Sequence, residues 1–410
     1  MSQKVCMLVR HHPFLDARIF HKEAKSLMKK GYDVTLVVPR KKGYLYDIDG
    51  TLFIDQFRQS KFTHEGIKIV TYDDKREKLN KMVKNLKSRE KYKFNDPLLK
   101  TGFAQNADIY HAHEFLSLYS GIGIKRAMKK QKGKNIKLIY DSHELVPDPL
   151  EMKHKNKRKV ELLRKMLFYM LKETDYILTV SDSIKAWYLS LNPFIPVEVI
   201  YNTPLLAKEY KQKNYQKDGL VACYEGSIHK MKGSKEKLFA ITNICSQSID
   251  FTFKIIGGVQ TGESLSVPDK LKDKFIQLGW VKYTDIPQYM MDVDIGWIDF
   301  DVSKSLNRSY ALPNKFFSYL NNGVPVIVNK CHEMGNFIRK YQCGLVLDKY
   351  NPAPEDYAKA ILYLHERKDV LKRMSINARK TMEQTYCWEH MEQRLVNVYR
   401  KIWSDNTQFI

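Results

Sequence analysis

The feature that most restricts this chain is a rhythm. Short, apolar, β-prone runs recur along it, most of them separated by enough residues for a crossover helix. Val5–Arg10 is the first; Asp16 can cap the next helix, in which Phe20, Ala24, Leu27 and Met28 share one face, and Gly31 stops it. Asp33–Val38, Ile67–Val70, Ile109–Ala112, Ile136–Tyr140, Tyr176–Val180 and Val197–Tyr201 continue the series. Strand, helix, strand in this order predicts a doubly wound parallel sheet. The polar stretch Thr203–Asp218, with Lys208, Lys211, Lys213 and Lys217, interrupts the rhythm like a linker. It restarts with Leu220–Tyr224, Phe251–Ile256, Phe275–Leu278, Val293–Ile298, Pro325–Asn329 and Gly344–Leu347, and three helical stretches come after these at Glu355–His365, Asp369–Thr385 and Glu389–Trp403. The expectation is two α/β domains, 1–203 and 204–385, with a terminal helix in 386–410 packing back toward the first.

Composition agrees with a globular reading: 410 residues, 43% hydrophobic and 28% charged, are enough to bury real cores, which excludes disorder and coiled coils. The initial apolar run, Val5–Val9, is too short for a signal peptide, and no stretch reaches the roughly 18 apolar residues of a spanning helix. A cytoplasmic protein, or one held peripherally on the inner membrane face, is expected. Cys6, Cys223, Cys245, Cys331, Cys343 and Cys387 form no Cys-x-x-Cys pair, so they read as reduced, mostly buried thiols.

The net charge of +23 is uneven, since residues 1–200 hold 39 Lys/Arg against 23 Asp/Glu. It is densest in Lys75–Lys100, where Leu79, Met82, Val83 and Leu86 recur at helical spacing. That reads either as a basic amphipathic helix lying on anionic lipid, supported by a second basic stretch at Lys153–Lys165, or as a solvated helix whose stripe faces its own domain. No nucleic-acid recognition motif accompanies the charge, so no nucleic-acid partner is expected.

In open parallel sheets ligands sit beyond the carboxyl ends of the strands. Three such ends in the first domain carry histidines: Arg10-His11-His12, His111-Ala112-His113-Glu114 and Asp141-Ser142-His143-Glu144. Their convergence points to an active site. Zinc is a competing use of His111, His113 and His143, but neither a His-Glu-x-x-His helix nor a nearby cysteine supports it. In the second domain Tyr224-Glu225-Gly226-Ser227 ends a strand and Lys230-Met231-Lys232-Gly233 leads into a helix, a place for a diphosphate by dipole and charge together. Gly257-Gly258 and Gly279-Trp280 allow a ligand close to the backbone. The acidic triplets at 47–49, 292–294 and 299–301 imitate a metal-binding carboxylate pair and read as decoys.

Five segments in order, 16–24 (Asp-Ala-Arg-Ile-Phe-His-Lys-Glu-Ala), 108–114, 140–144, 312–319 (Leu-Pro-Asn-Lys-Phe-Phe-Ser-Tyr) and 323–327, together with Cys387-Trp388-Glu389, closely resemble family 4 glycosyltransferases of the GT-B fold. The resemblance spans almost the whole chain. It implies two facing Rossmann-like domains with parallel sheets and an interdomain cleft, a nucleotide sugar, a UDP-sugar first, on the second domain, and a glycan, lipid-linked or protein acceptor on the first. It also implies retention of anomeric configuration and no metal or other cofactor. His113 resembles the histidine that approaches the donor sugar, Lys232 the lysine on the diphosphate, and Gly279-Trp280-Val281 the segment along the base. Ser227, Lys230, Gly257, Lys315 and Ser318 complete the expected donor side, and His11, Arg18, His143 and Glu144 the acceptor side.

The chain also departs from the family pattern. Tyr310 and Ser318 stand where two glutamates eight positions apart are usual, the second of which normally holds the ribose hydroxyls. Ser227 stands where an arginine is expected, with His229, Lys230 or Lys315 as substitutes, and His11–Asp16 lacks the usual glycine pair. The reading is a retaining transferase acting on an envelope polysaccharide, glycolipid or protein. The alternative is a degenerate subunit of the same fold that assists an active partner.

Overall fold

Strands that are apolar on both faces must be covered from both sides, and a parallel sheet sandwiched by helices does this. The structure, a computed structural model, describes residues 2–151, 156–216, 218–227, 234–258 and 265–404. Its first sheet contains β1 (Lys4–Leu8), β2 (Asp33–Arg40), β3 (Lys61–His64), β4 (Ile67–Asp73), β5 (Ile109–His113), β6 (Lys137–Ser142), β7 (Tyr176–Thr179) and β8 (Val197–Val199), in the order β3-β4-β2-β1-β5-β6-β7-β8. β5 is buried along its whole length and β6 at all but its first residue, which is why both read as continuous apolar runs. Only β3 is antiparallel, pairing Lys61 with Val70 and His64 with Ile67. It escapes a sequence reading because it is a short edge strand with no buried residue. The second sheet contains β9 (Gly219–Glu225), β10 (Asp250–Ile256), β11 (Phe275–Gly279), β12 (Ile295–Ile298), β13 (Val326–Val328) and β14 (Gly344–Val346), all parallel, in the order β11-β10-β9-β12-β13-β14.

In each sheet the strand order reverses at one place, between β1 and β5 and between β9 and β12. Flanking connections diverge at such a point and leave a crevice beyond the strand ends. The carboxyl ends of β1 and β5 lead into His11-His12 and carry His113-Glu114, and the end of β9 carries Glu225-Gly226-Ser227. The rhythm of the sequence therefore also fixes where chemistry can sit.

Two local expectations change, and one left open is decided. β1 stops at Leu8, not Arg10, and the Arg10 guanidinium turns inward to Asp96 at 2.6 Å and Asp74 at 2.9 Å. The first helix begins as a π-turn, Ile19–Ala24, before Lys25–Lys29; Asp16 does serve its first turn, accepting from the backbone of Arg18 at 2.8 Å and Ile19 at 2.9 Å. The basic helix Leu79–Lys87 buries Met82 and Leu86 against the helix Lys157–Leu171, so its apolar stripe faces its own domain and not lipid. Lys153 lies outside the described residues.

The chain folds as two units, one running to Ile200 and resuming at Glu392, the other from Tyr201 to Met391, against joints expected at 203/204 and 385/386. The terminal helix Trp388–Ser404 is accordingly divided: the Trp388 backbone donates to Pro204 of the second unit, while Tyr399 serves the first. All six cysteines are buried free thiols. Among the described residues no helix is long and apolar enough to cross a membrane.

Candidate active site

The crevice between β1 and β5 is built in two layers. The inner layer is closed: Arg18, Glu23, His111, His113 and Asp141 are all at most 2% exposed. The Arg18 guanidinium lies 2.8 Å from Glu23 and 3.1 Å from Asp141 and donates to the Ile200 carbonyl at 2.8 Å. Burial pushes the Glu23 carboxyl well up; Arg18 opposes this and the Asp141 charge adds to it. Burial works the same way on Asp141, but Arg18 and the neighbouring histidines win and hold it ionised. One proton and one guanidinium thus balance two carboxyl groups. The rings of His111 and His113 stack at 4.3 Å, and burial keeps both neutral. His111 Nδ1 meets the Tyr399 hydroxyl at 2.9 Å. Among the described residues neither ring nitrogen of His113 has a hydrogen-bond partner, although Asp141 lies 3.3 Å from Nδ1.

The outer layer is the rim. The Glu114 carboxylate lies 3.4 Å from His143 and 3.6 Å from His12. His143 reaches back to Asp141 at 3.0 Å, and His12 is anchored on Asp16 at 3.2 Å. Burial alone would lower the His12 pKa, but its bonds to Asp16 and Glu114 raise it to about 10, so it is an imidazolium at neutral pH. Glu114 sits at φ 72, a conformation a side chain adopts at a cost of about 1–3 kcal/mol and that gathers at functional sites.

Two sets here have metal-ligand geometry, Glu23-His111-His113-Asp141 and His12-Glu114-His143. Neither suits a cation. Arg18 already lies against both carboxyl groups of the first, and a protonated His12 has no lone pair to give in the second.

At the end of β9 the backbone comes unusually close to its neighbours. Gly226, Gly257 and Gly279 have φ of 124, 128 and 68, and a Cβ on Gly257 would stand 2.1 Å from the Gly226 carbonyl oxygen, so no side chain fits. Lys315, at the start of the helix Asn314–Asn321, lies over the Tyr224 ring at 3.9 Å, with its amine 3.0 Å from where a Gly226 side chain would begin. The Trp280 indole nitrogen lies 3.0 Å from the corresponding point on Gly258. Ser318 donates to the Glu225 carboxyl, and Ser227 Oγ is buried without a partner among the described residues. Small backbone, a lysine and an exposed indole together form a surface for phosphate and a flat ring.

Comparison with known proteins agrees. Residues 17–203 match the model of Glycosyltransferase Family 4, and residues 219–367 that of Glycosyl transferases group 1. The chain is a family 4 glycosyltransferase. It is 26% identical over 233 residues to "Putative glycosyltransferase YtcC" of Bacillus subtilis (strain 168), covering 54% of this chain and 55% of that one, so the match spans about half the length of the curated relative. Solved structures share the GT-B fold. Sucrose-phosphate synthase from Thermosynechococcus elongatus superposes with a TM-score of 0.68 at 11% identity, over 98% of this chain and 100% of that one. Anabaena HepE in complex with UDP and glucose gives 0.66 at 13% identity, over 97% and 100%.

Within this family 4 chain the expected residues fall into three groups. Gly257, Trp280, Lys315, Ser318 and Ser227 gather at the strand ends of the second unit, with Val281 next to Trp280 and partly buried. Lys230 and Lys232 lie outside the described residues. The first unit brings corrections. His11 turns outward to Arg76 at 3.1 Å, and it is His12 that joins the rim, the chain bending at both residues after β1. Glu144 is exposed outside the cluster, and the acid at the rim is Glu114. Arg18 is an internal strut, and His113 lies beneath the rim, fully buried. Asp16, Glu23 and Asp141 escape a sequence reading as site residues; each stands inside one of the motifs, and only their burial shows them as the charges that hold the histidines. The acidic triplets are absorbed structurally: Asp47 and Asp49 accept from the Ile48 and Thr51 backbone of their own turn, Asp292 pairs with Lys254, Asp294 accepts from the Val221 backbone at 2.9 Å, and Asp299 pairs with Lys237 at 2.7 Å.

Proposed function

We propose that the protein is a retaining glycosyltransferase that takes a sugar from a nucleotide-diphosphate sugar, UDP-linked first, and places it on an envelope polysaccharide, glycolipid or protein acceptor. The observation that carries this is the β9 end, where positive-φ glycines, Lys315 and Trp280 form a cradle for a diphosphate and a base. The UDP and glucose held by HepE support the choice of nucleotide. Retention is the family's outcome. The acceptor hydroxyl attacks the anomeric carbon on the face from which the diphosphate leaves, the bond to the diphosphate oxygen breaks, and the acceptor proton passes to that oxygen. Lys315 stabilises the charge that develops on the leaving group. At the other crevice the His12 imidazolium, Glu114 and His143 are the groups an acceptor hydroxyl meets first, with neutral His113 behind them.

Attachment to an anionic membrane face is part of the proposal, and the packing determines its form. With the helix stripe buried, binding rests on the outward lysines of Leu79–Lys87 and on exposed side chains such as Phe168 and Phe194, 57% and 93% exposed.

The decisive experiment is release of nucleotide diphosphate from UDP-, GDP- and ADP-sugars by the purified chain. Turnover of one supports the enzyme. The replacement of two acidic positions by Tyr310 and Ser318 favours the other reading, an assisting subunit without chemistry, and failure to bind or cleave any of the three would establish it.

A further inference from the structure

Glu225 is not among the donor-side residues expected from the resemblance, yet it closes β9 at the point where the strand order reverses. It is 9% exposed. Its backbone is fixed, the N–H donating at 2.8 Å to the Tyr319 hydroxyl, which in turn donates to the Cys223 carbonyl at 3.0 Å. The carboxyl takes a hydrogen bond from Ser318, while Oε2 is buried with no hydrogen-bond partner among the described residues. A buried carboxyl oxygen without a donor is costly, the more so when ionised, and calls for a group that supplies the donor.

The surroundings say what that donor is. Lys315 already supplies a positive charge that acts on this carboxyl, so a second cation is not called for. A neutral hydroxyl fits beside the Ser318 hydroxyl. The place also adjoins the Gly226 and Gly257 backbone that forms the diphosphate cradle, so the hydroxyls belong to the same ligand.

We infer that Glu225 and Ser318 together grip the ribose diol of the donor nucleotide, Glu225 accepting from a ribose hydroxyl through Oε2. This rests on the nucleotide-sugar reading above. The acid missing at position 318 is thus supplied from β9, the neighbouring strand end, and the small Ser318 is what leaves it room. Burial raises the Glu225 pKa, with Ser318 and Lys315 opposing, and two good donors from a diol would favour the ionised form on binding.

The test is calorimetric titration with UDP and with 2′,3′-dideoxy-UDP, which keeps base and diphosphate but lacks the diol. For wild type the dideoxy form should bind about tenfold or more weakly. Glu225→Gln should lose about tenfold affinity for UDP and leave the dideoxy form within about twofold, so that the two nucleotides become nearly equal. The exchange Glu225→Ser with Ser318→Glu, which moves the acid back to the helix, should restore preference for the diol, and thermal unfolding shows whether each variant is folded. Equal losses for both nucleotides in a folded Glu225→Gln, or no loss for either, would overturn the inference and leave the nucleotide-sugar reading standing. Wild type that binds none of UDP, GDP or ADP would overturn both.

Discussion

Arg18 holds two fully buried carboxyl groups at once, so its loss should cost the first unit heavily. Arg18→Met leaves the ionised Asp141 buried without a counter-charge, at a cost of about 3–5 kcal/mol. Arg18→Lys should recover part of it, because an ammonium cannot fork to two acids. Urea unfolding of both variants gives the comparison, and a wild-type midpoint for Arg18→Met would mean that the network holds nothing. His12 sets a pH dependence of definite sign. Its folded pKa, about 10, lies above the ordinary value of 6.5. Its stabilisation is complete below about pH 6.5 and is lost as pH rises toward 10, by at most about 1.4 kcal/mol per pH unit, because only the folded state keeps the proton there. His12→Gln should flatten this decline in midpoints taken at pH 7, 8 and 9; parallel declines would refute it. At this scale the sequence was half legible. The strand-end motifs marked the right neighbourhood, but whether His11 or His12 faces inward is decided by partners elsewhere in the chain, Glu114 for His12 and Arg76 for His11, which the local motif does not reveal.

Among elements, the helix Leu79–Lys87 has two faces with separable tasks. Leu86, 1% exposed, packs inward, and Leu86→Ala should cost about 2–5 kcal/mol of stability. Reversing Lys78, Lys81 and Lys84 to Glu should cost some stability as well, because among the described residues Lys81 pairs with the buried Glu77 at 3.1 Å and a glutamate there would face it, so thermal unfolding must show the triple variant folded. Sedimentation with phosphatidylserine vesicles should then show strong loss of binding for the triple reversal and little for Leu86→Ala. Equal wild-type binding to neutral vesicles would remove the membrane proposal. The helix itself was readable from its spacing, but the destination of its stripe was not, because an amphipathic pattern is the same whether lipid or the helix Lys157–Leu171 covers it. β3 was invisible for the opposite reason: an exposed edge strand has no buried face to impose a pattern.

Across the whole molecule, the carboxyl groups of the first crevice are taken up by Arg18 and by the histidines of the rim, and the second crevice offers the single carboxyl of Glu225 beside Lys315, so transfer should survive EDTA. Complete loss of activity that only added Mg²⁺ or Mn²⁺ restores would show that one of the two ligand-like sets does hold a cation. The two-sheet architecture was the most legible level, since parallel strands buried on both faces write their periodicity openly.

The first unit takes in Glu392 onward, including the Tyr399 that meets His111. A ribosome therefore releases the whole of Tyr201–Met391 before the last piece of the first unit exists. Domains generally mature in the order of synthesis. Here the later one can finish first, and the histidine cluster of the earlier one stays unfinished until Tyr399 has been made.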